Sequence, residues 1–224
     1  MKMTSRAVIV LAMIALCNPL IHGQDLSKYR NFSFGMDASS VLKLAEEKPA
    51  DLITIHEQPA LIQELTWYPP VPFASPRRSE SVQKVLLSFY NGEMYKMAVT
   101  YDSDAVKGLT NEDMMRILSA KYGTATRPAA EVNVPPDDSN GPTETVIARW
   151  EDPQYSLSLF RSSMLDTFEV VSFAKRLNAQ AATAIAESVK LERQEAPQRE
   201  AARVKQEAVE LEADRQKNIK ALRP

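Results

Sequence analysis

The sequence has one cysteine, Cys17, and two histidines, His22 and His56, in 224 residues. A disulfide framework needs cysteines in pairs, so none is available. Zinc held by cysteine and histidine lacks its ligands. Serine or cysteine nucleophiles need an imidazole or an equivalent base. His56 lies in Ile55-His56-Glu57-Gln58-Pro59 with no serine motif beside it, and it reads as a surface or turn histidine. Glycine is also scarce, at 6 residues, and no glycine-rich phosphate loop is present.

Two acidic patterns need weighing. Asp102-Ser103-Asp104 opens like a calcium loop and Asp113 falls in its twelfth place, but Val106 and Lys107 stand where an oxygen ligand and a glycine are required. Glu151-Asp152 are adjacent, so on a strand they point to opposite faces and cannot flank one glycosidic bond. We expect no catalytic residue, no metal and no cofactor.

The longest apolar run is Ala7–Leu16, following Lys2 and Arg6 and closed by Asn18-Pro19; Gly23 then precedes Gln24. The run is about half the ~20 residues that cross a bilayer. The order basic, apolar, small is that of a secretory signal peptide over residues 1–23. The expected location is extracytoplasmic, periplasmic or secreted, after cleavage near Gly23. Cleavage removes Cys17 and His22. A membrane association follows only if the leader is retained or Cys17 is lipidated, and the bulky Leu16 before Cys17 argues against lipidation.

Charge is uneven along the chain. Residues 24–174 carry 14 basic and 21 acidic side chains, while Lys175–Pro224 carries 11 basic and 8 acidic. An acidic body argues against nucleic acid as a partner.

The body repeats itself. Gly35-Met36-Asp37-Ala38-Ser39-Ser40-Val41-Leu42-Lys43-Leu44 aligns with Gly108-Leu109-Thr110-Asn111-Glu112-Asp113-Met114-Met115-Arg116-Ile117. Each copy has a glycine, a capping side chain two positions on (Asp37, Thr110), an oxygen-bearing residue three further (Ser40, Asp113), and then apolar residues at helical spacing. Strand-like segments follow in both: Leu61–Trp67, Val82–Tyr90 and Met94–Tyr101 in the first, Thr145–Trp150, Tyr155–Arg161 and Thr167–Ala174 in the second. Asn91-Gly92 between apolar runs signals a hairpin. A tryptophan closes the first strand of each copy. Val85, Leu87 and Phe89 alternate with Lys84, Leu86 and Ser88, so one face is apolar and the other mixed.

The expected fold is α+β: two tandem repeats of a helix plus a three-stranded antiparallel sheet, over 24–101 and 102–174, followed by a charged helical tail over 175–224. The glycine-plus-apolar helix openings (Gly35-Met36, Gly108-Leu109), the aromatic strand and the Phe89–Met94 hairpin resemble BamE-type outer-membrane assembly lipoproteins. They also resemble the secreted beta-lactamase inhibitor proteins, which look like two such units in tandem. The resemblance covers about Tyr29–Ala174 and implies an extracytoplasmic binding role. The chain departs from both families, lacking a favourable lipidation site and a disulfide.

Two proline-rich segments interrupt the body, Tyr68–Ser79 and Gly123–Pro142, and neither suits a central strand. The first sets Trp67, Tyr68 and Phe73 beside Arg77 and Arg78, residue types typical of interface anchors, and is the expected partner contact. In the tail, Leu177, Ala181, Ile185 and Val189 form a helical stripe. Pro197 is expected to break or kink the helix, and Val204, Ala208, Leu211 and Leu222 continue a thinner stripe. Self-association through this tail is a further expectation. The reading as a whole is an exported, non-enzymatic protein that binds another protein; a hydrolase using acidic residues and a self-associating structural protein are the alternatives. Intact mass of the protein from its native host should place the mature N-terminus at Gln24; a retained Met1 or a lipid adduct on Cys17 would contradict the leader assignment.

Overall fold

The computed structural model describes residues 25–70, 81–126, 133–134, 144–162 and 167–222. The leader, with Cys17 and His22, lies outside them, as do Phe73, Arg77, Arg78 and most of the second proline-rich segment. In chain order the elements are β1 (Lys28–Tyr29), β2 (Phe32–Ser33), α1 (Ala38–Ala45), a 3-10 turn at Pro49–Asp51, β3 (Ile53–His56), β4 (Ile62–Trp67), β5 (Val82–Tyr90), β6 (Glu93–Tyr101), α2 (Ser103–Val106), α3 (Asn111–Tyr122), β7 (Asn133–Val134), β8 (Glu144–Glu151), β9 (Tyr155–Ser162), β10 (Thr167–Ala174) and α4 (Lys175–Ala221). The fold is α+β.

β3 to β10 form one antiparallel sheet in the order β3-β4-β5-β6-β10-β9-β8-β7, while β1 and β2 make a separate hairpin. The order reads the same from either edge, with the last strands of the two repeats paired at the centre. Among the described residues each half has the three expected strands and one more at its outer edge. The additional ones, β3 and β7, are edge strands of four and two residues, too short for an alternation of apolar side chains to mark them in sequence.

The helix entries follow the repeated pattern. Gly35 and Gly108 both take positive φ, 85° and 81°, which an L side chain would resist. Asp37 caps α1 by accepting from the Ser40 N–H at 2.9 Å. Thr110 caps α3 in a reciprocal box, its hydroxyl accepting from Asp113 N–H at 3.1 Å while Asp113 accepts from Thr110 N–H at 3.1 Å. Asn91 and Gly92 close the β5–β6 hairpin with positive φ at both positions. That hairpin also anchors α1: Ala38 N–H donates to Gly92 O at 2.9 Å and Gly35 N–H to Met94 O at 2.8 Å.

Register explains the core. One row of facing residues runs Leu65, Leu87, Met97, Ser172, Leu157, Trp150 across six strands, and the next runs Trp67, Val85, Val99, Val170, Leu159, Ala148. All twelve are buried. Val41, Leu42 and Ala45 of α1, Val106 of α2, and Met114, Leu118 and Tyr122 of α3 join them in one cluster. All three helices therefore cover the same face, and the core is shared by both repeats. Trp150 satisfies its indole N–H on Gly123 O at 2.9 Å. A fully buried leucine contributes about 1.5–3 kcal/mol.

α4 starts where β10 ends. Leu177 and Ala181 pack with Ile62 and Tyr95, flanked by Ile185. Further along, the Ser188 hydroxyl donates to Gln58 O, and Glu192 Oε1 lies 3.0 Å from His56 Nδ1. The helix thus crosses one end of the sheet from β10 to β3. From Lys190 onward every described residue is exposed. Pro197 does not end the helix, which continues to Ala221. A proline removes one main-chain bond, and here its neighbours are strong helix formers, with Arg199 paired to Glu195 across the site at 2.6 Å.

Leu65→Ala should lower unfolding free energy by about 2–5 kcal/mol, whereas Leu44→Ala, on the exposed side of α1, should change it by no more than about 0.5 kcal/mol. Denaturant titration of both variants checks this; equal effects would contradict the assignment of faces.

Candidate functional site

Of the five residues expected to form a partner contact, Trp67 and Tyr68 lie among the described residues. Trp67 is 9% exposed and belongs to the core. Its ring meets Phe32 edge-on at 5.1 Å, and the Arg30 guanidinium sits 5.6 Å from its centroid. An anchor must reach the partner, so Trp67 is removed from that role by its own packing. Tyr68, the next residue, is 63% exposed. Phe73, Arg77 and Arg78 lie outside the described residues. His56, expected at the surface or in a turn, ends β3 and faces α4 with its side chain 12% exposed.

The acidic groups have local structural work. Asp102 accepts from Asp104 N–H at 3.1 Å and caps α2, which accounts for the calcium-like opening of that segment. Asp152 accepts from the N–H groups of Gln154 and Tyr155 in the β8–β9 turn. Glu151 accepts from Lys175 Nζ at 2.7 Å, and the Lys175 contact holds its carboxyl below the usual range. The Ser39 and Ser40 hydroxyls hold Asp37 low, the Thr110 N–H holds Asp113 low, and Lys28 with Ser27 brings Asp25 to about 2. Asp25, Asp37, Asp113, Glu151 and Glu212 are all held below the usual carboxylate range, whereas a general acid needs displacement upward. Among the described residues no three His, Cys, Asp or Glu side chains are grouped to hold a metal ion. Among them, too, no helix is long and apolar enough to cross a membrane.

What remains is the second face of the sheet. Its rows are Glu64, Ser88, Lys96, Phe173, Ser156, Glu151, then Thr66, Leu86, Ala98, Val171, Ser158, Arg149, then Lys84, Thr100, Glu169, Phe160, Val146. α1, α2 and α3 lie on the other side. A solvated antiparallel face normally alternates to polar residues. Here Leu86, Ala98 and Val171 make an apolar centre bordered by Phe173 and Phe160, and Leu86, Val171, Phe160 and Phe173 are only half-buried. Glu64, Lys96, Lys84, Glu169, Arg149 and Glu151 frame it. Ser88 Oγ donates to Glu64 Oε1 at 3.2 Å and Arg149 Nε donates to Ser158 Oγ at 3.3 Å, so the polar members are held in place.

The sequence carries a signal for this surface. Leu86, Phe160 and Val171 each fall on the polar phase of their strand. Their neighbours across the sheet come from both repeats, and that adjacency depends on the β6–β10 pairing, which no local pattern reveals.

Several charged side chains on the exposed part of α4 pair along the helix. Arg203 bonds Glu200 and Glu207, both at 2.6 Å, and Arg215 bonds Glu212 at 3.1 Å. Pairs at this spacing stabilise a solvent-exposed helix.

Compared with protein-family models, with curated proteins and with solved structures, the chain matches none.

The capping carboxylates give a pH dependence. A carboxyl held lower in the folded chain than its unfolded value of about 3.9 stabilises the fold above that pH, and the stabilisation is lost as pH falls. Asp37→Asn keeps an N-cap acceptor but cannot titrate. Relative to that variant, the unaltered protein should lose stability between about pH 4 and pH 2; parallel denaturation curves over that range would contradict the role given to Asp37.

Proposed function

We propose that this chain is a non-enzymatic, exported protein that binds another protein in the cell envelope or outside the cell. One observation carries the reading: the second face of the sheet has an apolar centre of Leu86, Ala98 and Val171 within a charged frame. An apolar centre with a polar rim is the anatomy of a protein interface. The likeness of the repeat to BamE-type proteins and tandem inhibitor proteins supports a binding role in the same compartment, and the leader supplies the address.

The alternative is a hydrolase working through acidic residues, which requires carboxyls of the two halves paired in a cleft with one raised by burial. Self-association through the tail is not favoured by ion pairs that close within α4.

Affinity capture from the host's envelope and secreted fractions tests the proposal. The full-length protein should recover a partner in stoichiometric amount. Val171→Lys should reduce recovery at least tenfold while leaving the far-UV circular dichroism and melting temperature unchanged. Recovery of nothing above background, or equal recovery by the variant, would overturn it.

A further inference from the structure

Among the described residues β3 is the first strand of the sheet and pairs with β4 alone, so its outer edge there offers main-chain donors and acceptors. Native edges are usually protected by charge, proline or a covering element. This one carries Ile53, 60% exposed, and Ile55, 45% exposed. The register shifts between Thr54 and His56, making Ile55 the bulged residue. A bulge re-aims its side chain and limits pairing to a short stretch.

Facing this edge is α4. The space between them is a groove of about 400 Å³, bounded by Thr54–Gln58 on one side and by Ser188, Leu191, Glu192, Glu195 and Arg199 on the other. Leu191 is 38% exposed and supplies the apolar wall opposite Ile55. The spacing is fixed at two points: the Ser188 hydroxyl bonds Gln58 O, and Glu192 meets His56. The groove is therefore formed before anything enters it, which lowers the ordering cost of binding.

The charges select the occupant. Glu57, Glu192 and Glu195 line the groove against one guanidinium, Arg199, which is already paired to Glu195. An extended segment bearing lysine or arginine is matched to that surplus of carboxylates, with an apolar side chain between Ile55 and Leu191. We infer that the groove between β3 and α4 binds a short, extended, basic segment of a partner protein, which adds to β3 as a further strand. Strand addition of this kind takes its affinity from main-chain bonds and its specificity from alternate side chains. The inference rests on the protein-binding reading but uses a different surface from the apolar centre around Val171.

The test uses the full-length protein and capped ten-residue peptides. One alternates valine and lysine, a second alternates valine and glutamate, and a third is the valine–lysine peptide with alternate backbone nitrogens methylated. Fluorescence anisotropy should show saturable binding of the first, at least tenfold weaker binding of the third, and no saturation with the second. Hydrogen exchange of Ile53–Gln58 should slow when the first peptide is bound. Ile55→Lys and Leu191→Lys, both at exposed positions, should each weaken binding at least tenfold without moving the melting temperature.

Equal binding of the methylated peptide would overturn the inference, because charge alone would then account for it. So would exchange protection away from β3, or no binding of the valine–lysine peptide. If partner capture still depends on Val171 while the peptide fails at β3, this inference falls and the protein-binding reading stands.

Discussion

The pairing of β6 with β10 is the interaction on which the structure depends. Thr100 faces Glu169, Val99 faces Val170, Ala98 faces Val171, Met97 faces Ser172 and Lys96 faces Phe173. This antiparallel seam joins the last strand of one repeat to the last strand of the other. Without it, each half would be a four-stranded sheet with a long open edge. With it, the sheet among the described residues ends at the short strands β3 and β7. Both core rows cross the seam, through Met97–Ser172 and Val99–Val170, so each half completes the packing of the other. The second face is joined in the same way, since Ala98 and Val171 meet only because the halves do.

α4 breaks this symmetry. It leaves β10, the end of the second repeat, and packs on Tyr95, Ile62, Gln58 and His56 of the first. It therefore clasps the two halves from outside the seam. Its buried side chains are small or slender, Leu177, Ala181, Ala184 and Ser188, which lets the helix lie close to the sheet end. The same placement creates the groove along β3. The first half thus acquires a helix-walled edge for which the second half has no counterpart among the described residues.

Much of this was legible in the sequence because its causes are local. The caps at Asp37 and Thr110, the glycines before them, and the Asn91-Gly92 turn are settled by residues within a few positions. β5, β9 and β10 fall within a residue of their expected bounds, and α4 begins at Lys175. What was not legible depends on contacts between distant segments. β3 is four residues long and has no periodicity to read. Trp67 looked like an interface anchor beside Tyr68, but Phe32 and Arg30 arrive from a separate hairpin and enclose it. Pro197 looked like a break, and the surrounding helix formers and the Glu195–Arg199 pair carry the helix past it. The second face is the clearest case: Leu86 and Val171 are ordinary departures from alternation until the seam places them in one row.

Through β6 and β10 the two repeats are held as one sheet, which should open cooperatively. Native-state hydrogen exchange across a denaturant series tests it most directly. Amides in β5, β6, β9 and β10 should merge onto one opening isotherm with the free energy of global unfolding. An isotherm in which β8–β10 open together at lower free energy, while β4–β6 stay protected, would contradict it.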